Sequence, residues 1–313
     1  MENNKELKSY YSEDQIDLTE LFQVIWSGKW FVLALTTVFS ITSIFYSLSL
    51  PNIYISKALI IPVQQNDSIS SSLNSYSGLA ALAGVSLPSQ SSKSNQAKAI
   101  EKLQSLSFFE SNILPNIFLP ELMALESWDS KNNKLIFNDT IYNSVKDTWV
   151  KNPKDPEKTS PSIQESYIKF LDHLSIEKED YTGFIELQVR HKSPYIAKEW
   201  ASLLVTQINK SFRANDKEHA KKALDYLNSE IAKTNLNEIK QVLAQLMQQE
   251  IQKLTLIEAN DAYVFDYIDP PAVMERKAEP NRSIICILGA ILGAIIGNII
   301  VLIRHYFFKN NIE

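Results

Sequence analysis

Residues 283–303 read SIICILGAILGAIIGNIIVLI, and residues 31–50 read FVLALTTVFSITSIFYSLSL. Neither run holds a charged residue. Each has about the 20 residues that a helix needs to cross roughly 30 Å of hydrocarbon. Arg282 and Arg304 bracket the later run; Trp26 and Trp30 precede the earlier one and Tyr54 follows it, where aromatics favour the two interfaces. A cleaved signal peptide is the alternative for the first run, but its leader is long and acidic, the run is too long, and no A-x-A site follows. A buried helix of a soluble core is the alternative for the second, and its length and charged brackets argue against that. The two runs fix the plan of the chain as a hairpin through a membrane, with 1–30 and 304–313 as tails, spans at 31–50 and 283–303, and one domain at 51–282.

The later run also carries three of the seven glycines, Gly289, Gly293 and Gly297, four residues apart. Positions i, i+4 and i+8 share one helix face. Without side chains that face is a groove that admits another helix, the small-xxx-small arrangement of membrane helix pairs. Asn298 sits beside the groove and is placed to hydrogen-bond across it. The spacing predicts helix–helix packing but leaves open whether the partner is the first span or a second copy.

The intervening domain reads as α+β: a mixed sheet at its base and a long projecting helical hairpin. Gln15 to Trp26 is expected to be a short amphipathic helix, with Asp17 and Glu20 at capping-box spacing. The Ile-rich stretch Asn52 to Val63 reads as a strand. Gln64 to Gln96 reads as a Ser-, Asn- and Gln-rich loop enclosing the small-residue patch Ser77 to Pro88. Gln96 to Asn116 reads as helix, with Ser107 and Glu110 capping a second piece and Pro115 ending it. Lys131 to Pro161 reads as an irregular excursion. Leu174 to Glu179 and Gly183 to His191 read as a β-hairpin around the turn Asp180 to Gly183, where Ile185, Leu187 and Val189 alternate. Ser193 as N-cap and Pro194 at the first position open a helix running to Thr234, roughly 60 Å at 1.5 Å per residue. Asn235 with Glu238 is expected to cap a second helix through Ile257. Tyr263 to Ile268 alternates as a strand, and Pro270, Pro271 and Pro280 make an extended linker. The first and last strands thus each adjoin a span, and pairing them would close the domain at its base.

Chemistry is conspicuous by its absence. The formal net charge is -5 and no basic block interleaved with aromatics occurs, which argues against nucleic acid as a partner. The single cysteine, Cys286, lies in the second run, so no intrachain disulfide or Cys-based metal site can form. No phosphate-binding loop, dinucleotide fingerprint, H-E-x-x-H or G-x-S-x-G motif occurs, and no cofactor or metal is expected. His173, His191, His219 and His305 are scattered along the sequence and read as structural or exposed. No catalytic pair can be nominated, and the chain reads as no enzyme.

Several segments together resemble the polysaccharide co-polymerases, specifically the Wzz-like chain length determinants. They are the opening Ile16 to Leu21 (IDLTEL) with Trp26, Lys29 and Trp30; the patch Leu79 to Gly84 (LAALAG); Gly183 to Val189; Ser193 and Pro194 with Ala197; and the helix Trp200 to Asn209. Most telling is the end: Tyr263, Ile268, Asp269, Pro270, Ala272, Pro280 and Arg282, leading into the glycine-spaced span. The linker departs from the family, which is richer in proline where Met274, Arg276 and Lys277 stand here. No kinase domain follows Glu313, so the expectation is the form without a fused tyrosine kinase.

The resemblance implies a bacterial inner-membrane protein with both termini cytoplasmic and a periplasmic domain. It implies a ring-like homo-oligomer that sets the length of O-antigen, or a similar glycan, together with the polymerase and the growing polysaccharide. Counting Lys and Arg barely decides the orientation, with Lys5, Lys8, Lys29, Arg304 and Lys309 set against Lys57, Arg276, Lys277 and Arg282. Two other roles stand beside length control: a structural adaptor for polysaccharide export, and an enzyme acting on glycan, the latter disfavoured for want of a site.

Overall fold

The computed structural model describes residues 18–63, 92–150, 160–259 and 262–309. The loop patch at 77–88 and the pair Asp17 and Glu20 as a capping box therefore lie outside the described residues. The chain divides into two compact units, one holding the two ends and the other Ile53–Lys277.

The first unit contains α1 (Leu18–Ser27), α2 (Lys29–Ser49) and α9 (Arg282–Lys309). Both α2 and α9 are long and apolar enough to cross a membrane, and only 6% and 11% of their apolar windows are buried inside the chain. A core helix of a soluble protein would bury most of that surface. The Ser and Thr residues of α2 are accommodated locally. Thr36 Oγ1 donates to Val32 O at 2.8 Å, and Ser40 Oγ to Thr36 O at 2.8 Å. Thr37 and Thr42 likewise bond one turn back, so these hydroxyls need no partner from another helix. The second helix runs past Arg304 to Lys309, beyond the 283–303 expected, because a charged side chain ends an apolar run without ending a helix.

The second unit is built on a four-stranded sheet ordered β6-β7-β1-β8, with β1 at Tyr54–Pro62, β6 at Leu174–Lys178, β7 at Ile185–His191 and β8 at Phe265–Asp269. Every pairing is antiparallel, which corrects the expectation of a mixed sheet. The reason lies in the connections. The β6–β7 hairpin is closed by a tight turn, and β1 and β8, which leave and rejoin the apolar helices, run in opposite directions. Gly183 stands in that turn at φ +74°, a conformation most residues avoid.

One face of the sheet is covered by α7 (Pro194–Lys233). Strand β7 alternates strictly, with Ile185, Leu187, Val189 and His191 buried. Ala58 and Ile60 of β1 lie opposite Leu187 and Ile185. Trp200, Leu204 and Ile208 repeat every fourth residue along α7, joined by Ala197, Ala201 and Val205. Phe108, Phe109, Ile113 and Phe170 fill the flank of this core, and Phe265 closes it from β8.

The helical hairpin is present: α7 is 40 residues long and α8 (Asn237–Ala259) has 23. Its second helix starts one residue later than expected. The first bond runs from Lys240 N–H to Leu236 O, so Asn235 sits in the connection and makes no capping box with Glu238. The stretch read as helix over 96–116, with a second piece capped at Ser107, is α3 (Ser92–Leu103), then α4 (Leu106–Phe108) running into a π-turn at Phe109–Ile113 and a 3₁₀ turn. Its cap is Ser105, whose Oγ accepts from Phe108 N–H at 3.3 Å, rather than Ser107. After α5 (Leu119–Met123), the excursion read as irregular folds into two small hairpins. They are β2 (Leu125–Asp129) with β3 (Lys134–Phe137), and β4 (Tyr142–Asn143) with β5 (Thr148–Trp149). Asn133 and Asp147 turn their corners at positive φ, the polar turn chemistry that an alternation search overlooks. Helix α6 (Ile163–His173) opens with a full capping box, Ser162 with Glu165.

Candidate functional site

In the first unit the three glycines of α9 lie against α2 of the same chain. A Cβ on Gly289 would sit 2.4 Å from Ser43 Cβ. One on Gly293 would sit 2.8 Å from Phe39 Cβ and 3.0 Å from Thr36 Cα, and one on Gly297 3.2 Å from Val32 Cα. Partner numbers fall along α2 as they rise along α9, so the helices run antiparallel in one continuous seam. Gly28, the residue before α2, extends it: a Cβ there would meet Val301 Cγ1 at 2.5 Å. The sequence reading missed Gly28 because it stands alone, at a helix junction, outside any repeat. At Gly293 and Gly297 the backbone of α2 itself approaches, through Thr36 Cα and Val32 Cα, while at Gly289 and Gly28 the side chains of Ser43 and Val301 fill the space a Cβ would take, so the contact is close van der Waals packing. Asn298 does not complete the bridge assigned to it: its buried Oδ1 has no hydrogen-bond partner among the described residues. Beside the seam, Phe22 stacks on Trp26 at 5.9 Å and Lys29 Nζ lies 4.7 Å over the Trp26 ring.

The linker residues fall into two groups. Asp269 ends β8 opposite Leu59, beside a bulge in β1, and Pro270 terminates the strand. Ala272 is held to the sheet: its carbonyl accepts from the buried Ser56 Oγ at 2.8 Å. Pro280 follows a cis peptide bond, and Arg282 opens α9, its Nη2 donating to Asn52 Oδ1 at 3.1 Å. Met274, Arg276 and Lys277 lie between the groups, on a stretch without regular structure.

A clamp that the sequence did not advertise fastens β8 to α7. Asn209 Oδ1 accepts from the N–H groups of Val264 and Phe265, both at 2.9 Å, while its Nδ2 donates to Phe265 O at 2.8 Å. One side chain thus satisfies three main-chain groups where the strand begins. Nearby, Tyr263 Oη donates to Asp216 Oδ2 at 2.6 Å.

Two of the four histidines read as scattered are in fact together. The rings of His173 and His191 lie 5.6 Å apart, and Trp200 packs on both. His173 ends α6 and His191 ends β7, so only the tertiary fold joins them. His191 Nδ1 accepts from Ser193 N–H at 3.1 Å, which leaves Nε2 to donate to Glu121 O at 3.2 Å. Burial holds His191 down to about 3, aided by His173, and lowers His173 as well. Glu121 is pushed up to about 7 by burial and by Glu199. Ser193 occupies the N-cap of α7, but its side chain accepts no helix N–H. With its nitrogens committed to the main chain, His191 is a structural wedge. Among the described residues no group of three or more His, Cys, Asp or Glu is arranged to hold a metal ion.

Comparison with known proteins gives three findings. Residues 14–113 match the family model described as chain length determinant protein, Wzz. No curated protein matches the chain. Among solved structures, the chain is similar to a full-length bacterial polysaccharide co-polymerase, at 15% identity over 96% of this chain and 100% of that one, with a TM-score of 0.41. It is also similar to a fragment of WzzB, a polysaccharide co-polymerase from Salmonella Typhimurium, at 15% identity over 73% of this chain and 100% of the fragment, with a TM-score of 0.29.

Proposed function

We propose that this protein is a non-enzymatic regulator of surface polysaccharide chain length, acting as a homo-oligomer in the bacterial inner membrane together with a polymerase. The observation that carries the reading is the match of residues 14–113 to the chain length determinant family. That segment covers α1, α2, β1, α3 and the turns after it. Elements from the far end of the chain complete both units: α9 packs along α2, and β8 pairs with β1. In this reading α2 and α9 span the membrane, both termini are cytoplasmic and residues 51–282 are periplasmic. The glycan is O-antigen of lipopolysaccharide, and control is exerted by binding rather than bond chemistry. The glycine seam then serves as an internal brace, holding the two spans as one rod so that the chain between them starts and ends at fixed points.

The test is the length ladder of surface polysaccharide on a gel, with and without the gene. Collapse of a clustered band pattern into a smooth decay is expected. An unchanged ladder refutes length control, and loss of surface polymer with synthesis intact assigns the protein to export instead.

A further inference from the structure

Two surfaces of the second unit are left open and match each other. The first is the tip of the β6–β7 hairpin. Tyr181 is 98% exposed there, although the turn carrying it is well tied. Gly183 N–H donates to Glu179 O at 2.8 Å, Glu179 N–H to Phe184 O at 2.9 Å, and Thr182 Oγ1 to Glu179 Oε2 at 2.6 Å. A large ring held out on an ordered turn loses little freedom when it binds. Glu177, Glu179 and Asp180 surround it, with Lys178 the one cation among them.

The second surface is a groove between α7 and α8 of about 570 Å³. Ile251, Leu254 and Ala259 give it an apolar lining, Thr255 supplies a hydroxyl, and Lys217 and Lys221 stand on one wall. Lys217 pairs with Glu258. Lys221 also acts on that carboxylate, so among the described residues that line the groove two lysines stand against one carboxylate.

We propose that the Tyr181 turn of one copy seats in the α7–α8 groove of a second copy. This deepens the self-association in the function proposed above and rests on that part of it. The volume admits a phenol ring, with Leu254 and Ile251 against its face and Thr255 near its hydroxyl. Glu179 and Asp180 come to Lys217 and Lys221. The two surfaces differ, so the contact is head-to-tail: each copy offers a turn to one neighbour and a groove to the other. Such a contact propagates until it closes into a ring or runs on as a filament. The turn is an anchor, not a whole interface, which needs roughly 1,200 Å² or more. The exposed Tyr226, Leu236, Ile239 and Leu256 of the same hairpin supply further apolar surface.

The experiment uses the full chain in native membranes with Cys286→Ser, which removes the only native thiol. Tyr181→Cys and Thr255→Cys are then combined and the membranes oxidised. A ladder of dimers and higher species on a non-reducing gel, absent from each single variant and abolished by reductant, is expected. A shifted monomer band alone would put the turn in its own groove and overturn the proposal, as would no ladder at all. Independently, Lys217→Glu with Lys221→Glu should weaken association in detergent by roughly tenfold or more, and adding Glu179→Lys with Asp180→Lys should restore it. Failure of the swap to restore association overturns the charge pairing. The polysaccharide ladder is read separately, with and without the gene: disulfide ladders beside a glycan ladder that loss of the gene leaves unchanged sink length control and leave the interface standing.

Discussion

Substituting Gly293 probes the α2–α9 seam where it is least forgiving. A Cβ there meets Phe39 Cβ at 2.8 Å and Thr36 Cα at 3.0 Å, while ordinary contact begins at 3.4 Å. Phe39 can rotate, but Thr36 Cα is backbone and moves only with its helix. Gly293→Ala therefore has to part the helices by roughly half an ångström, and overpacking of this kind costs about 1–3 kcal/mol. Alanine regains up to about 1 kcal/mol of helix propensity, so its net effect is small. Gly293→Leu adds three further carbons and has to open the seam by about 2 Å, toward the 8–10 Å axis separation of ordinary helix pairs. In a micelle the leucine gains nothing by leaving detergent for protein, so nothing offsets the loss. The assay is the distance between spin labels on Val38→Cys and Ile295→Cys in a Cys286→Ser background, since Val38 and Ile295 are 58% and 53% exposed. Lengthening by about 2 Å for leucine and well under 1 Å for alanine is expected. A leucine variant with an unchanged distance distribution would refute the close backbone approach.

Asn209→Leu leaves three main-chain groups of Val264 and Phe265 without partners and should lower stability by about 3 kcal/mol; thermal unfolding of the detergent-solubilised chain that shifts by less than about 2 °C would count against the clamp. Stability should depend on pH through the His191 cluster. The unfolded chain takes up a proton on His191 near 6.5 that the folded chain resists down to about 3, so stability falls as pH drops through that window, by up to about 1.4 kcal/mol per unit. His173 adds to the same trend. Glu121 works the other way: the folded chain keeps its proton to about 7 and the unfolded chain loses it near 4.5, so stability falls as pH rises between them. The wild type should therefore lose stability gently from 6.5 to 4.5, because Glu121 offsets His191 but not His173, and more steeply below, whereas Glu121→Gln should lose it steeply from 6.5 down; a flat Tm profile for that variant through this range would refute the assignment. Gly183→Ala meets no steric neighbour but has to hold φ +74°, and should cost about 1 kcal/mol, with Gly183→Asn costing less; equal Tm values for alanine and glycine would show that the turn relaxes.

Local and periodic features of this fold were legible in the sequence. Gly289, Gly293 and Gly297 repeat at a helical interval, β7 alternates, and Ser193 with Pro194 opens α7 at the expected residue. What stayed hidden depends on pairing across long separations or on single polar atoms. Asn209 sits in a helix like any surface amide, and nothing local says that it faces the main chain at Val264. His173 and His191 are separated by a hairpin and meet only because β6 and β7 pair. The two hairpins over 125–149 are short strands turned by Asn133 and Asp147, so neither gives a window long enough for alternation to register. The Ser162 and Glu165 capping box was readable as S-x-x-E, but the polar stretch around it masked the signal.

The helical hairpin is unevenly supported, and that bears on how the chain assembles. Of the buried residues of α7, eight fall between Pro194 and Ile208, where the helix lies on the sheet; beyond them only Ala220 and Leu227 are buried. In α8 only Ile257 is. Two helices joined over such a thin seam have little to hold them, because helices in proteins draw most of their stability from an apolar face that is covered. The apolar residues that would make such a face, Tyr226, Leu236, Ile239, Ile251 and Leu256, are instead between 38% and 65% exposed. Surface salt bridges such as Lys222 with Glu218 and Lys233 with Glu230 are screened by solvent and add little. A lone copy therefore opens first in this hairpin, while Trp200 and the sheet stay shut. In an assembly whose neighbours seat a tyrosine turn between α7 and α8, the same residues become the stabilised part. Ordering of the hairpin and association of the copies are then one equilibrium, and weakening either weakens the other.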